Sequence, residues 1–344
     1  MLRQLERLTR AFPAAGPGAC ALAVYDVAGA LAPARESGEE GVACVDDAAR
    51  GLALFCDLWA ATRHDRFRER AVAFLDFVLW MQRPDGRFVN FVRDWQGLRN
   101  LDGPTSVAGG AFWQARGLRG LAKAWVVLAD ARAGAAFERA LECVDRSDKV
   151  PPDVRAVHVA ALLDLVRIGR GPELRELLAR WCDEIASKRN GDALLDGETD
   201  EVHLWGHSQE TVLAQAGTLL HRPDLLDTAR RSAETVFVPA IASGFDLPLV
   251  QPYGVACAVQ AMDALAGATG EERYAGLARD ARGWFDGRNP ARAAVYDRAT
   301  GRVADGIDNG RVSLNSGAES NIVAAEALFA QVAHVRPAPA VTPL

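Results

Sequence analysis

Several features that would place this chain in a familiar class are missing from its sequence. No window approaches the 18 or so uninterrupted apolar residues of a membrane-spanning helix, so we expect no membrane partner. Acidic and basic residues are interleaved, the formal net charge is −6, and no basic face is evident, which argues against nucleic acid as a partner. The first residues are charged throughout and no apolar stretch follows them, so no secretory signal is predicted.

Sequence patterns for metal, nucleotide and serine-nucleophile chemistry are also missing. There is no GxGxxG after a strand, no Walker A, no GxSxG and no HExxH, and we predict neither a metal nor a cofactor. The six cysteines form no CxxC pair, and the pattern predicts reduced, buried thiols in a cytoplasmic protein. These cysteines are Cys20, Cys44, Cys56, Cys143, Cys182 and Cys257.

What the sequence does contain is helical periodicity along nearly its whole length. About 12 helices are predicted, and they alternate between two kinds. One kind is small and apolar on nearly all faces, at 48–62, 107–129, 154–168, 208–220, 252–268 and 316–330. The other is amphipathic and charged, at 65–82, 133–146, 172–187, 223–238 and 271–286, with the N-terminal segment 1–12 as its sixth member. Helices that are apolar all round are buried, whereas those with one polar face lie outside.

This alternation predicts an all-α fold, an (α/α)6 toroid in which six helical hairpins place six inner helices within six outer ones. Connections from inner to outer helices are short, and most of those that return are long and unusual in sequence. The long connections therefore share one end of the ring, where the inner helices begin, and we expect the active end there. We predict one domain over residues 1–335 and a disordered, proline-rich tail at 336–344. No repeat favours a solenoid, and runs of β-branched residues are too few for a sheet fold.

The first inner helix opens with two successive aspartates. Asp46 is predicted to be the N-cap, which leaves Asp47 to face the ring interior. A helix N-terminus favours negative charge and would hold such a carboxylate ionised. The alternative is purely structural, with one aspartate capping the helix and a pair formed with Arg50.

The connection 86–106 interleaves aromatic rings with amides, carboxylates and guanidinium groups. Flat apolar faces stack on sugar C–H groups, and amides or carboxylates bind hydroxyls, so this composition predicts a sugar site. The alternative is a surface hairpin whose aromatic residues only anchor it to the barrel. The side chains concerned are Phe88, Asn90, Phe91, Arg93, Asp94, Trp95, Arg99, Asn100 and Asp102.

The connection 192–210 is rich in acids and carries two histidines. His203 and His207 are four residues apart, but Gly206 between them argues against a helical zinc pair. We expect His207 or Glu210 to face the cavity and the acidic run at 198–201 to be a solvated loop.

The last inner helix opens at Asn315 with the sequence NSGAES. Ser316 and Glu319 fit a capping box, which is the structural alternative for Glu319. If the ring closes, however, this helix begins beside Asp46 and Asp47. Three carboxylates would then meet around one pocket, and their crowding would raise some of their pKa values. The glycine-rich segment 295–310 before it is predicted to be an ordered flap across the mouth.

Three of these segments, in this order, resemble bacterial glycoside-hydrolase-like (α/α)6-barrel proteins. The segments are GVACVDDAARGLALF, then FVNFVRDWQGLRNLDGPTSVAGG, and finally VSLNSGAES. The resemblance rests on the patterns DD.AR, F.NF..D and N.GAES, and it spans about residues 40–330. It implies a six-hairpin toroid with a sugar-binding mouth. By matching motif, it also implies functional roles for Asp46, Asp47, Asp94 and Glu319.

Together these patterns predict a glycoside hydrolase that uses Asp47 and Glu319 as its principal carboxylate pair on an oligosaccharide or glycoconjugate. Asp46 is the third candidate catalytic carboxylate, and inversion is the favoured outcome. Residues predicted to contact the sugar are Arg50, Asn90, Asp94, Trp95, Asn100, Trp205, His207, Glu210, Tyr253 and Asn315. The alternatives are a lyase or epimerase with His207 or Tyr253 as base, an isoprenoid cyclase, and a non-catalytic sugar-binding barrel.

Overall fold

Six helices form the inner wall of a ring, and six others pack against their outer side. The computed structural model describes residues 1–144, 146, 149–197 and 202–329. The inner helices are α2 (Val45–Thr62), α4 (Ala111–Leu128), α6 (Pro152–Arg167), α8 (Gln209–Leu220), α10 (Pro252–Thr269) and α12 (Ala318–Ala327). The outer helices are α1 (Leu2–Leu8), α3 (Asp65–Met81), α5 (Ala131–Glu142), α7 (Pro172–Ser187), α9 (Pro223–Ala242) and α11 (Glu272–Arg282).

The order of contacts shows that the ring is closed. Each inner helix contacts the next inner helix along the chain, and α12 returns to contact α2. Each outer helix packs on its inner neighbour, and α1 completes the set by packing on α12. This confirms the (α/α)6 toroid expected from the alternation of apolar and amphipathic helices.

Small residues allow the inner helices to approach one another. A Cβ added to Gly120 of α4 would lie 3.0 Å from the carbonyl oxygen of Ala49 on α2. A Cβ at Gly51 would lie 3.2 Å from the side chains of Leu22 and Phe74. The alanine- and glycine-rich composition of these helices therefore fits them to the crowded inside of the ring.

Tight reversals join inner helices to outer ones at one end of the ring. Arg63, Ala129, His221 and Gly270 each follow an inner helix, and each has a left-handed backbone conformation that ends it. The chain returns to the other end through longer connections, as at 82–110, 188–208 and 283–317. The long connections and the beginnings of the inner helices therefore share one end.

Short antiparallel strands stiffen these connections. They are β1 (Thr9–Ala11) with β2 (Cys20–Leu22), β3 (Tyr25–Val27) with β4 (Ala30–Ala32), β5 (Ala43–Cys44) with β6 (Phe91–Val92), β7 (Arg189–Asn190) with β8 (Ala193–Leu194), β10 (Tyr296–Asp297) with β11 (Arg302–Val303), and β12 (Ile307–Asp308) with both β9 (Leu249–Val250) and β13 (Arg311–Val312). The N-terminal helix expected over residues 1–12 ends at Leu8, because Thr9–Ala11 pairs with Cys20–Leu22 instead.

Several other predictions are confirmed only in part, or concern residues that the structure does not describe. Four cysteines are buried, but Cys20 and Cys143 are only partly buried because they lie at a strand start and just beyond the end of α5. Within the described chain, no helix combines the length and apolarity needed to cross a membrane. The tail 336–344 and the acidic residues 198–201 lie outside the described residues. The single domain over 1–335 stays a prediction.

Candidate active site

A cavity of about 540 Å³ opens where α2 and α12 begin side by side. The connection after α11 and the loop that carries β3 complete its wall. Carboxyl groups dominate the polar lining, together with amides, a phenol and hydroxyls. The lining residues that carry functional groups are Tyr25, Glu36, Cys44, Asp46, Asp47, Asn90, Gln251, Asp305, Asn315, Glu319 and Ser320.

The start of α2 is capped by groups other than its two aspartates. Cys44 is the N-cap residue, and its sulfur accepts a hydrogen bond from the backbone N–H of Asp47 at 3.4 Å. The side-chain oxygen of Asn90 accepts from the backbone N–H of Asp46 at 3.3 Å. The prediction that Asp46 is the N-cap was therefore wrong, because strand pairing of Ala43–Cys44 with Phe91–Val92 brings Asn90 to this helix end.

Asp46 is held by two guanidinium groups. Its Oδ1 lies 3.2 Å from Nε of Arg50, one turn along the same helix. Its carboxylate also accepts hydrogen bonds from Arg116 of α4. Burial alone would raise the pKa of Asp46, but the charges of Arg116 and Arg50 outweigh it and hold the pKa below its ordinary value. Asp46 is therefore an ionised group that fixes two arginines.

Asp47 has the opposite electrostatic character. Its side chain is buried, and its carboxyl group accepts a hydrogen bond from the Cys44 thiol at 3.3 Å. Burial raises the pKa of Asp47 to about 7, with Asp46 and Glu319 acting in the same direction and Arg50 against it. A substantial fraction of Asp47 therefore carries a proton at neutral pH, which an ordinary aspartate does not.

Glu319 reaches the cavity from the first turn of α12. Gly317 is the N-cap and makes no side-chain capping bond, so the capping box expected for Ser316 and Glu319 does not form. Glu319 instead pairs with Arg50 at 2.7 Å while its side chain stays 43% exposed. The same arginine thus ties the starts of α2 and α12 together, as expected if the ring closes here.

Arginines and a tyrosine lie beneath this group of carboxylates. The guanidinium of Arg50 lies 4.7 Å from the centre of the Tyr253 ring. The Tyr253 hydroxyl accepts a hydrogen bond from Arg116 at 3.1 Å. Tyr253 therefore supports the two arginines from inside the ring, and it is not among the residues that line the carboxylate cavity.

The connection between α3 and α4 contributes fewer sugar-facing groups than expected. Asn90 lines the cavity, but Asp94 accepts three backbone N–H bonds within its own loop, from residues 96–98. Trp95 packs against the hydrophobic core. Asn100 is fully buried and donates to the carbonyl oxygens of Glu39 and Glu40 at 3.1 and 2.8 Å. Asp94, Trp95 and Asn100 thus make structural contacts, and none of the three lines the carboxylate cavity.

The connection before α8 is also organised differently from the prediction. His207 is fully buried and bonds Asp196 through Nδ1 at 2.6 Å and Glu210 through Nε2 at 2.9 Å. Burial would lower the pKa of His207, but Glu210 and Asp196 outweigh it and raise the pKa to about 10. His207 and Glu210 therefore do not face the cavity, because they satisfy each other inside the protein.

Trp205 lies outside the carboxylate cavity, although it is exposed. Its ring stacks on His203 with centroids 4.0 Å apart, and 43% of its surface is accessible. Asp153, Asp196 and His203 form the one group of potential metal ligands found in the described part of the chain, with ligand atoms within 4.8 Å of one another. This group is separate from the cavity, and the absence of a metal requirement stays a prediction.

Several residues of the cavity were not predicted from the sequence. Asp305 lies between β11 and β12, accepts a hydrogen bond from the backbone N–H of Gly317 at 2.7 Å, and has its pKa raised by burial. Tyr25 donates to Glu36 at 2.6 Å, and burial raises its pKa. Asp305 belongs to the segment expected to form a flap, and that was the only signal for it. Nothing in the spacing of Tyr25 or Glu36 singled them out.

Comparison with known proteins identifies the architecture. No protein-family model matches the chain, and no curated protein matches its sequence. A cellobiose 2-epimerase from Bacillus thermoamylovorans superposes with a TM-score of 0.74 at 10% identity over 96% of each chain. A cellobiose 2-epimerase from Spirochaeta thermophila gives 0.68 at 15% identity, covering 95% of this chain and 92% of that one. These likenesses show a shared (α/α)6 fold.

A further solved structure with this fold is a hydrolase. The GH76 alpha-mannanase of Bacteroides thetaiotaomicron superposes with a TM-score of 0.65 at 10% identity, covering 97% of this chain and 93% of that one. Epimerases and a hydrolase thus share one scaffold with this chain, and the reaction has to be argued from the residues of the site.

Proposed function

We propose that this chain is a carbohydrate-active enzyme, most specifically a glycoside hydrolase, with Asp47 and Glu319 as its catalytic pair. The observation that carries the proposal is the unequal environment of two carboxyl groups in one cavity. Asp47 is buried and its pKa is raised to about 7, whereas Glu319 is partly exposed and paired with Arg50. Pairs of carboxyl groups in different environments supply the acid and the base of glycoside hydrolysis.

In this mechanism Asp47 is the general acid. It donates its proton to the glycosidic oxygen as the bond from that oxygen to the anomeric carbon breaks. A water molecule attacks the anomeric carbon from the opposite face, and its proton passes to the carboxylate of Glu319. Proton exchange with solvent then restores both groups, and the new hydroxyl has inverted configuration.

The other residues of the cavity bind and position. Asn90 and Asn315 offer amide groups to sugar hydroxyls, and Asp305 is a further carboxyl group within the cavity. Asp46 acts as a positioning residue, because it holds Arg50 in place and Arg50 in turn pairs with Glu319. The solved structures that share the fold include an alpha-mannanase, which supports a sugar substrate.

The first experiment is release of reducing sugar across a panel of oligosaccharides. We expect wild-type activity on at least one substrate, with a rate that falls above about pH 7 as Asp47 loses its proton. Asp47→Asn should abolish that activity. Asp65→Asn is the matched control, since Asp65 lies in the first turn of α3 at the opposite end of the ring and should leave the rate unchanged. Normal turnover by Asp47→Asn would refute the proposal.

Epimerisation is the second candidate, because two solved structures that share the fold are cellobiose 2-epimerases. It needs a base beside the carbon that loses its proton. His207 is a poor candidate, because both of its ring nitrogens are bonded to buried acids, and the Tyr253 hydroxyl is bonded to Arg116. Incubation of reducing disaccharides in D₂O separates the reactions, since epimerisation incorporates deuterium at C2 and hydrolysis releases monosaccharide.

We also propose the broader setting of this activity. The substrate is a small-molecule sugar or oligosaccharide, and neither nucleic acid nor membrane takes part. A cytoplasmic location and the lack of a cofactor are part of the same proposal. Assay of the purified protein after treatment with a chelator tests the last point, because undiminished activity is expected.

A further inference from the structure

The interior of the ring holds a second cavity, distinct from the carboxylate cavity. It has a volume of about 350 Å³, within the range of small-molecule sites, and residues of all six inner helices line it. The two cavities share none of their lining residues. Arg50 and Arg116 lie at the boundary, where they line the inner cavity and pair with Asp46 above it.

A buried hydroxyl in this inner cavity has no partner among the described residues. Thr211 of α8 is only 8% exposed, and its Oγ1 makes no hydrogen bond to any of the described residues. Most threonine hydroxyls on helices bond the carbonyl oxygen one turn earlier, as Thr218 does with Ala214 at 3.1 Å. A buried polar group without a partner costs free energy, so the Thr211 hydroxyl is a feature that a ligand would satisfy.

The same cavity offers a cation that is unpaired within the part of the chain that the structure describes. Arg119 of α4 forms neither an ion pair nor a hydrogen bond within the described chain, although Glu326 of α12 lines the same cavity. Gln260 donates to Glu326 at 3.3 Å, and Gln215 adds a second amide. Arg119 and Glu326 carry opposite charges. The other charged lining groups are paired, Arg50 and Arg116 with Asp46 and Glu319, and Asp263 with Arg282. The set contains both donors and acceptors. Sugar hydroxyls donate and accept at once, so they match such a lining.

The inner cavity adjoins another cavity at the end of the ring away from the carboxylate cavity. Arg119, Gln260 and Glu326 also line an adjoining cavity of about 490 Å³. Its other walls include Asp57 and Ala60, in the last two turns of α2. Those turns lie at the end of the ring where α2 is joined to α3, opposite the carboxylate cavity. The adjoining cavity therefore lies on the far side of the layer of Arg50 and Arg116 from the carboxylate cavity.

We propose that the inner cavity is a second binding site, for one uncharged hexose-sized sugar or polyol, entered from the end of the ring opposite the carboxylate cavity. Thr211 and Arg119 donate to the hydroxyls of the ligand, and Glu326 accepts from them. The amides of Gln215 and Gln260 complete the contacts. The site is independent of the hydrolytic role of Asp47 and Glu319.

The test is isothermal titration of the full chain with D-glucose and with D-mannose, using sodium D-glucuronate as the anionic counterpart. None of these monosaccharides contains a glycosidic bond, so the wild-type protein is used and hydrolysis does not contribute. We expect binding of at least one hexose at one Thr211-dependent site. Glucuronate should bind more weakly there, because the charges of the lining already balance one another and Glu326 repels a carboxylate. Thr211→Val should weaken hexose binding about tenfold, the usual effect of losing one good hydrogen bond.

Thr218→Val is the matched control, since Thr218 is on the same helix and does not line the cavity. It should leave the dissociation constant unchanged. Thr211→Val should fold normally, because the hydroxyl it removes has no partner in the described structure. The proposal is overturned if neither hexose binds, if Thr211→Val binds as tightly as its parent, or if glucuronate binds more tightly than the hexose. Hydrolysis without hexose binding would overturn this site alone, and Thr211-dependent binding without hydrolysis would overturn the catalytic proposal alone.

Discussion

Two acid-rich segments lie before inner helices of the same ring, and the structure uses them in opposite ways. At the starts of α2 and α12, Asp47 and Glu319 line an open cavity, where Glu319 pairs with Arg50 and Asp47 accepts a hydrogen bond from the Cys44 thiol. Before α8, Asp196 and Glu210 enclose His207, and all three side chains are fully buried. Residue type alone therefore does not mark a site in this protein. The difference is whether the carboxyl groups bond a buried histidine between them or face a space that a substrate can fill.

The two regions also differ in which group carries an additional proton. In the cavity, burial keeps a proton on an acid, so Asp47 can donate it. In the closed network, two acids keep a proton on a base, so His207 is held as a cation and cannot accept another. The first arrangement keeps an acid available for proton donation, and the second stabilises the connection before α8.

The largest expected effect is on catalysis in the open cavity. Replacing Asp47 by Asn or Glu319 by Gln keeps the shape and removes the proton chemistry. General acid–base catalysis contributes about 10²–10⁴-fold, so each variant should lose at least that much in kcat. Steady-state kinetics on the preferred oligosaccharide measures it, with circular dichroism to show that both variants stay folded. If both turn over substrate normally, these carboxylates are structural.

The next effect is on stability, and it belongs to the closed network. Asp196→Ala leaves the imidazolium of His207 with one buried partner instead of two. Loss of one partner of a buried ion pair costs about 3–5 kcal/mol, which a urea denaturation curve would reveal. Asp192→Ala is the control, because Asp192 is exposed and lies 3.6 Å from Arg231, so it should cost under about 1 kcal/mol. Equal losses in the two variants would contradict the comparison.

The dependence of stability on pH should separate the two regions. Asp47 has a higher pKa in the folded chain, so its contribution is complete below pH 4 and is lost as pH rises towards about 7. The pKa of His207 is also raised, so its contribution is complete below about pH 6.5 and is lost as pH rises through about 10. Across each of these two pH ranges, the free energy of unfolding should change by on the order of a few kcal/mol.

Denaturation curves between pH 4 and pH 10 measure both windows. Asp47→Asn should reduce the decline between pH 4 and pH 7, to which Asp153 and Asp305 also contribute because burial raises their pKa values. It should leave the decline above pH 7 in place. The difference in free energy of unfolding between this variant and the wild type should therefore favour the variant more at pH 8 than at pH 5. A wild-type curve that is flat over the lower window would show that Asp47 titrates normally.

The fold was largely predictable from the sequence, because its signal is local and repeated. The alternation of apolar and amphipathic helices, such as 48–62 and 65–82, predicts inner and outer layers without knowledge of any contact. Ring closure then predicted that Asp47 and Glu319 would lie near one another, and both line one cavity. The same periodicity did not show that the N-terminal helix ends at Leu8, since a distant strand decides that.

The site was predictable only where backbone position was enough. The N-cap role of Cys44 depends on how β5 pairs with β6, and the burial of His207 depends on Asp196 eleven residues earlier. Asp305 enters the cavity because its segment pairs through β12 with β9. These are non-local contacts of loops, and no periodicity encodes them.

The smallest expected effect distinguishes a structural residue from a cavity residue in the loop between α3 and α4. Asp94 and Asn90 are four residues apart, yet only Asn90 lines the cavity, and Asp94 accepts three backbone N–H bonds at 2.9–3.0 Å. Asp94→Asn keeps one acceptor oxygen but loses the charge that strengthens these bonds, so we expect a loss of about 0.5–1.5 kcal/mol in stability. Since Asp94 holds the loop and not the substrate, kcat should stay within about twofold of the wild type, whereas Asn90→Ala should raise KM severalfold. Parallel kinetics and urea denaturation of the two variants measure the contrast. A hundredfold fall in kcat for Asp94→Asn, with unchanged stability, would return this residue to the catalytic machinery that the sequence pattern first suggested.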